Sequence, residues 1–155
     1  MNPKSALGTI LFAFSLGLAV SATSAWADPP GLTVLPIGPK APDFTLPGVD
    51  GKTHSLKDFA DSKVLVVIFT CNHCPTAQAY ENRIARLAAD YRNQGVAVVA
   101  ISPNDPAAVR LDELGYSDLG DSFAEMKIRA KDHHFAYPYL YDAETQPVSR
   151  AYGVL

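Results

Sequence analysis

An apolar run, Val64-Leu65-Val66-Val67-Ile68-Phe69-Thr70, passes directly into Cys71-Asn72-His73-Cys74, and a helical pattern opens at Pro75. The run is rich in β-branched residues and lacks polar alternation, the pattern of a strand buried on both faces. Such a strand needs cover on both sides of its sheet, so this junction selects an α/β architecture. It also sets the chemistry. The chain has 2 cysteines, and both sit here. Two intervening residues let the sulfurs meet on the first helical turn. There, free N–H groups and the positive end of the helix dipole favour a thiolate. A pair so placed cycles between dithiol and disulfide. As a static staple it would do little, because closing so short a loop removes little chain entropy.

Residues 1–27 read as a leader outside the domain. Lys4 gives a basic start, an apolar stretch covers about Ala6 to Val20, and Ala25-Trp26-Ala27 fits a small-x-small cleavage site. The stretch is shorter than the roughly 20 residues that span a bilayer. Cleavage after Ala27 leaves residues 28–155 as one domain and, with Lys4 gone, moves the formal net charge from −3 to −4. A mildly acidic surface predicts neither nucleic acid nor a membrane surface as partner. Export predicts a periplasmic or secreted location, where thiols meet an oxidising environment.

The mature chain reads as a β-hairpin followed by β-α-β-α-β-α. Pro29 to Pro42 is an extended arm. Phe44–Leu46 and Lys52–Leu56 flank an Asp50-Gly51 turn, and Leu56–Ala60 makes one helical turn. After the strand Val64–Thr70, Ala77, Tyr80, Ile84, Leu87, Ala88 and Tyr91 form an apolar stripe, with Glu81, Arg83, Arg86 and Asp90 on other faces. Gly95 stops that helix, and Val96–Ile101 is a second buried strand. Asp105-Pro106 opens a short helix to Leu114. Ser122–Glu125 is a capping box for a helix to about His133. Tyr137–Tyr141 is a third strand, and Glu144 to Tyr152 a last helix ended by Gly153. This alternation predicts a mainly parallel sheet with helix N-termini gathered at the strand carboxyl ends.

Several segments together resemble the thioredoxin-like superfamily, and within it the peroxiredoxin-like redoxin (AhpC/TSA) branch. They are Ala41-Pro42-Asp43-Phe44-Thr45-Leu46, Asp50-Gly51-Lys52, Leu56-Lys57-Asp58-Phe59, Val64–Thr70, Cys71–Thr76 and Tyr137–Asp142. The resemblance implies a thiol-disulfide oxidoreductase with Cys71 as nucleophile and Cys74 resolving the mixed disulfide. Thr70, Asn72, His73 and Pro75 would be its supporting residues. It implies no cofactor and no resident metal. Partners would be protein thiols or disulfides, a reductant protein, or peroxide. A histidine between the cysteines implies a lowered Cys71 pKa and a raised reduction potential.

Two alternatives use the same residues. Peroxiredoxins carry Pro-x-x-x-Thr/Ser-x-x-Cys. Cys74-Pro75-Thr76 matches the end of that pattern, which makes Cys74 the peroxidatic sulfur, while Cys71 and Val67 replace the hydroxyl residue and the proline. Alternatively, Cys71, His73 and Cys74 with His133 or His134 would form a soft Cu(I) site.

Of the other residues, His133-His134 reads as dipole compensation at a helix end and His54 as surface. Tyr137, Tyr139 and Tyr141 share one face of a strand, as packing residues do. Asp43 and Lys57 are candidate acid and base groups near the sulfurs. The family pattern continues past residue 155 with a cis-proline strand, its antiparallel partner and a helix. The chain therefore reads as incomplete, with an exposed sheet edge prone to self-association.

Overall fold

The computed structural model describes residues 33–142 and 145–154; the expected leader, residues 1–27, lies outside them. Two short strands, β1 (Thr45–Pro47) and β2 (Thr53–Ser55), form the antiparallel hairpin. Gly51 makes the turn at φ +81°, where a side chain would be strained. A single 3₁₀ turn, Leu56–Phe59, follows. Then come β3 (Val64–Phe69), helix α1 (Pro75–Tyr91), β4 (Val96–Ser102), helix α2 (Phe123–Asp132), β5 (Tyr139–Tyr141) and helix α3 (Pro147–Ala151). The main sheet is parallel throughout, in the order β3-β4-β5. The hairpin joins it at β5, through a Gly48–Leu140 bridge and the Val49 N–H donating to the Tyr139 carbonyl at 3.0 Å.

Strand β3, expected to be buried on both faces, lies at the sheet edge and is only partly buried, with Val64 52% exposed; the expected burial is met in the central strand β4. Val98 and Ala100 point to one face, where they meet Ile84 and Ala88 of α1, Met126 and Ala130 of α2, and the three tyrosines. Val99 and Ile101 point to the other, where they meet Phe44, Leu46, Leu140 and Val148. Both faces are covered, and each fully buried Val or Ile contributes about 1.5–3 kcal/mol. Tyr137, Tyr139 and Tyr141 all pack in the first of these clusters, as their shared face predicts. Among the described residues, no helix is long and apolar enough to cross a membrane.

Four local expectations are corrected. Glu81 is buried rather than turned outward, because it accepts from Arg129 Nε at 2.6 Å and pairs with His133 Nδ1 at 3.0 Å. Tyr80 and Tyr91 are instead 49% and 45% exposed. The predicted helix from Pro106 to Leu114 is two separate 3₁₀ turns, Pro106–Ala108 and Glu113–Tyr116. Leu111 between them is 89% exposed and gives the segment no apolar face to bury. The last helix starts later than predicted. Gln146 is left-handed at φ +51°, and the Asp142 carboxylate accepts the N–H groups of Val148 and Ser149, which fixes the start at Pro147. Glu144, the expected first residue, lies outside the described residues. His54 is also more than surface, since its Nε2 lies 3.1 Å from Asp50 Oδ2 across the hairpin turn.

Candidate active site

The loop between β3 and α1 carries the cysteines to the carboxyl end of the parallel sheet. Thr70 extends the ladder past β3, its N–H donating to the Ile101 carbonyl at 3.0 Å. Cys74 is the N-cap residue of α1 in extended conformation, and Pro75 takes the first helical position, where it sacrifices no helical hydrogen bond. Both thiols are free and half-buried. They open on a largely apolar cleft of about 730 Å³ whose walls include Phe69, Thr70, Ala77, Tyr80 and Pro103. Arg83 lies over the Tyr80 ring at 4.8 Å on that wall.

The loop is held from below by a residue that the sequence did not single out. Asp121 is 1% exposed. Its Oδ1 accepts the N–H groups of Asn72 at 2.7 Å and His73 at 3.2 Å. Its Oδ2 lies 2.5 Å from His73 Nδ1 and accepts from Asn104 Nδ2 at 2.6 Å. The capping box of α2 positions this carboxylate. Ser122 and Glu125 close the box, and Glu125 also accepts the Gly120 N–H at 2.9 Å. Asn72 supplies the second tie. It is 1% exposed, donates to the Gly120 carbonyl at 2.7 Å and accepts from the Tyr139 hydroxyl at 3.2 Å. Its own carbonyl accepts from Gln78 Nε2 at 2.8 Å. Asn72 is thus an anchor between α1, β5 and the loop before α2.

The thiolate expectation for Cys71 is overturned. Burial pushes its thiol up, the nearby charges of Asp121 and Cys74 push the same way, and the result is about 11, against an ordinary 9.0. The Cys74 N–H and the Asn104 amide act in the opposite sense, but they do not offset the desolvation. The helix-terminus argument therefore identified a real contact and the wrong net sign. Desolvation likewise holds Tyr139 well above its usual range, with Asp121 and Cys71 adding to it.

The candidate acid and base groups are also corrected. Asp43 is exposed and accepts the adjacent Phe44 N–H, and Lys57 is exposed. The acid at the site is Asp121. The expected soft-metal set is not the one assembled either. His133 is engaged by Glu81 at the far end of α2, with His134 after it. The groups brought together are Cys71, His73 and Asp121, which offer ligand atoms within 4.8 Å of one another. Asn104 lay in an unpatterned loop and carried no signal in the sequence.

Several known proteins resemble the chain in sequence or in fold. The chain is 26% identical over 124 residues to the thiol-disulfide oxidoreductase ResA of Geobacillus thermodenitrificans, covering 79% of this chain and 60% of that one. It is 40% identical over 76 residues to a Mycobacterium tuberculosis protein named as a candidate peroxiredoxin, covering 48% and 47%. The chain thus spans about half to three-fifths of the length of these relatives. A solved hypothetical protein of Sinorhizobium meliloti superposes with a TM-score of 0.66 at 34% identity, covering 79% and 61%. The thioredoxin domain of a Bacteroides vulgatus thiol-disulfide oxidoreductase shares the fold alone, with a TM-score of 0.54 at 16% identity and 78% and 76% covered. The fold is thioredoxin-like, as the motif implied. The AhpC/TSA family model matches residues 37–155, which takes in both cysteines and, among the described residues, all the strands and helices, and the chain belongs to that family.

Proposed function

We propose that this chain is an exported thiol-disulfide oxidoreductase that acts as a reductant of protein disulfides. The observation that carries the reading is the environment of Cys71. The sulfur accepts the Cys74 N–H at the start of α1, faces an apolar cleft, and is held as a neutral thiol. In the reaction, Cys71 gives up its proton and its thiolate attacks one sulfur of a partner disulfide. The partner's other sulfur leaves as a thiolate and takes a proton. Cys74 then loses its proton and attacks Cys71 Sγ, the partner's remaining sulfur leaves as a thiolate and takes up a proton, and the Cys71–Cys74 disulfide forms. Two electrons pass from the dithiol to the partner. Asn72 and Asp121 hold the loop in place, and Thr70 and Pro75 set where strand ends and helix begins.

The direction follows from the thiol. A stabilised thiolate favours the dithiol form and makes a strong oxidant, as in the low-pKa oxidases. A thiol held protonated supplies no such stabilisation. The expected midpoint is therefore at or below the thioredoxin value of about −270 mV. Equilibration of the full chain in thiol–disulfide buffers, read by alkylation and mass, tests it. A midpoint near −120 mV would overturn the reductant reading. Export rests on the leader pattern of residues 1–27.

The identity to the mycobacterial protein favours one second reading, a thiol peroxidase with Cys74 as the peroxidatic sulfur. In that case Cys71→Ser still consumes hydrogen peroxide stoichiometrically and Cys74→Ser does not.

A further inference from the structure

We propose that Cys71, His73 and Asp121 form a Zn²⁺ site that fills when the cysteines are reduced. The three offer one sulfur, one nitrogen and one oxygen ligand atom, all within 4.8 Å of one another. That donor set suits zinc, which takes thiolate, imidazole and carboxylate together, whereas the carboxylate oxygen is a poor ligand for Cu(I). The second observation concerns charge. Asp121 is 1% exposed, and among the described residues the ion pair given for it is with His73, whose Nδ1 lies 2.5 Å from Oδ2, with no Lys or Arg paired to it. Buried carboxylates are paired with a cation or bind a metal. The groups behind it are already in place, since the Asn104 amide and the Asn72 and His73 N–H groups fix the carboxylate. Such outer contacts orient ligands in metal sites.

The site has two openings. Cys71 lines the apolar cleft beside α1, and His73 lines a separate cleft of about 230 Å³ with Asp105, Glu113 and Gln146. Binding replaces the Cys71 S–H bond with a Zn–S bond and releases that proton to solvent; the metal also takes the place of the proton between His73 Nδ1 and Asp121 Oδ2, which moves to His73 Nε2. Zinc then occupies the sulfur that thiol exchange requires, so the loaded chain resists oxidation to the disulfide. The site itself does not depend on the direction of thiol exchange.

The experiment is a zinc titration of the full reduced chain against a chromophoric chelator, with Co²⁺ absorption as the reporter of geometry. The expected result is one Zn²⁺ per chain, a Co²⁺ spectrum with a thiolate charge-transfer band and tetrahedral d–d bands, and no binding by the disulfide form. Asp121→Asn and His73→Ala each weaken binding by 10- to 100-fold, while Cys74→Ser keeps it within about threefold. Far-UV spectra of each variant verify folding, and Asp121→Asn, which keeps the side-chain shape, stands beside His73→Ala should either fail. Loss of binding in Cys74→Ser with Asp121→Asn unaffected would mean simple dithiol chelation and overturns the proposal. So does a tighter Cu(I) complex indifferent to Asp121, or the absence of binding by the reduced chain.

Discussion

Replacing Asp121 by Asn removes one negative charge from beneath Cys71 and keeps the side-chain shape. Burial is the largest cause of the raised Cys71 pKa, and Asp121 adds to it. The carboxylate oxygen and Cys71 Sγ lie within 4.8 Å. At an effective dielectric of about 20, that separation raises the energy of the thiolate by about 3.5 kcal/mol. Cys71 is only half-buried, and solvent screening removes about half of this. About 1.7 kcal/mol remains, or a little over one pKa unit. Cys71 should therefore titrate near 10 in Asp121→Asn, against about 11 in the parent. Its thiolate fraction at pH 7 rises from about one in 10,000 to about one in 1,000. The Asn oxygen still accepts the Asn72 and His73 N–H groups, while its NH₂ meets the Asn104 amide, which must flip to accept. The assay is thiolate absorbance near 240 nm, or the alkylation rate, against pH in a Cys74→Ser background. A Cys71 pKa that stays near 11 or rises in a folded Asp121→Asn chain refutes the electrostatic account.

Asn72→Ala leaves the Gly120 carbonyl and the Tyr139 hydroxyl without their partner in a buried place, which predicts a loss of about 2–4 kcal/mol in urea unfolding. A loss under about 1 kcal/mol would show that the anchor is dispensable. Stability should also fall on the alkaline side. The unfolded chain releases the Cys71 proton near 9 and the folded chain near 11, so the native state holds more protons between them. The contribution is fully present below pH 9 and is lost as pH rises to 11. The whole interval corresponds to about 2.7 kcal/mol, and the partial exposure of Cys71 reduces it to about 1–1.5 kcal/mol. Tyr137 and Tyr139 are shifted in the same direction, so the readout is the difference between the parent and Cys71→Ser, both reduced. Equal alkaline slopes in the two would contradict the shift.

Most of the fold was legible because its signals are local. The run Val64–Thr70, the capping box at Ser122–Glu125 and the turn at Asp50-Gly51 each name an element without reference to the rest of the chain. The motif likewise placed both sulfurs at a strand-to-helix junction. What stayed hidden depends on contacts 31 to 49 residues apart in sequence, such as Asp121 with Asn72 and Asn104 with His73. Periodicity says nothing about where a loop side chain points, so neither Asp121 nor Asn104 stood out. The same blindness produced the wrong sign for Cys71. A helix terminus is visible in the sequence, whereas desolvation and a buried carboxylate exist only after packing. Glu81 was misread for a related reason, since its partner Arg129 lies on another helix.

Asn104 separates two compartments. Its side chain borders both the apolar cleft that contains the sulfurs and the smaller cleft that contains His73. In the proposed reaction, a polypeptide laid along α1 over Cys71 and Cys74 would leave the His73 cleft on the other side of Asn104. The sulfurs and the imidazole therefore face the outside through different openings, and covering one leaves the other open.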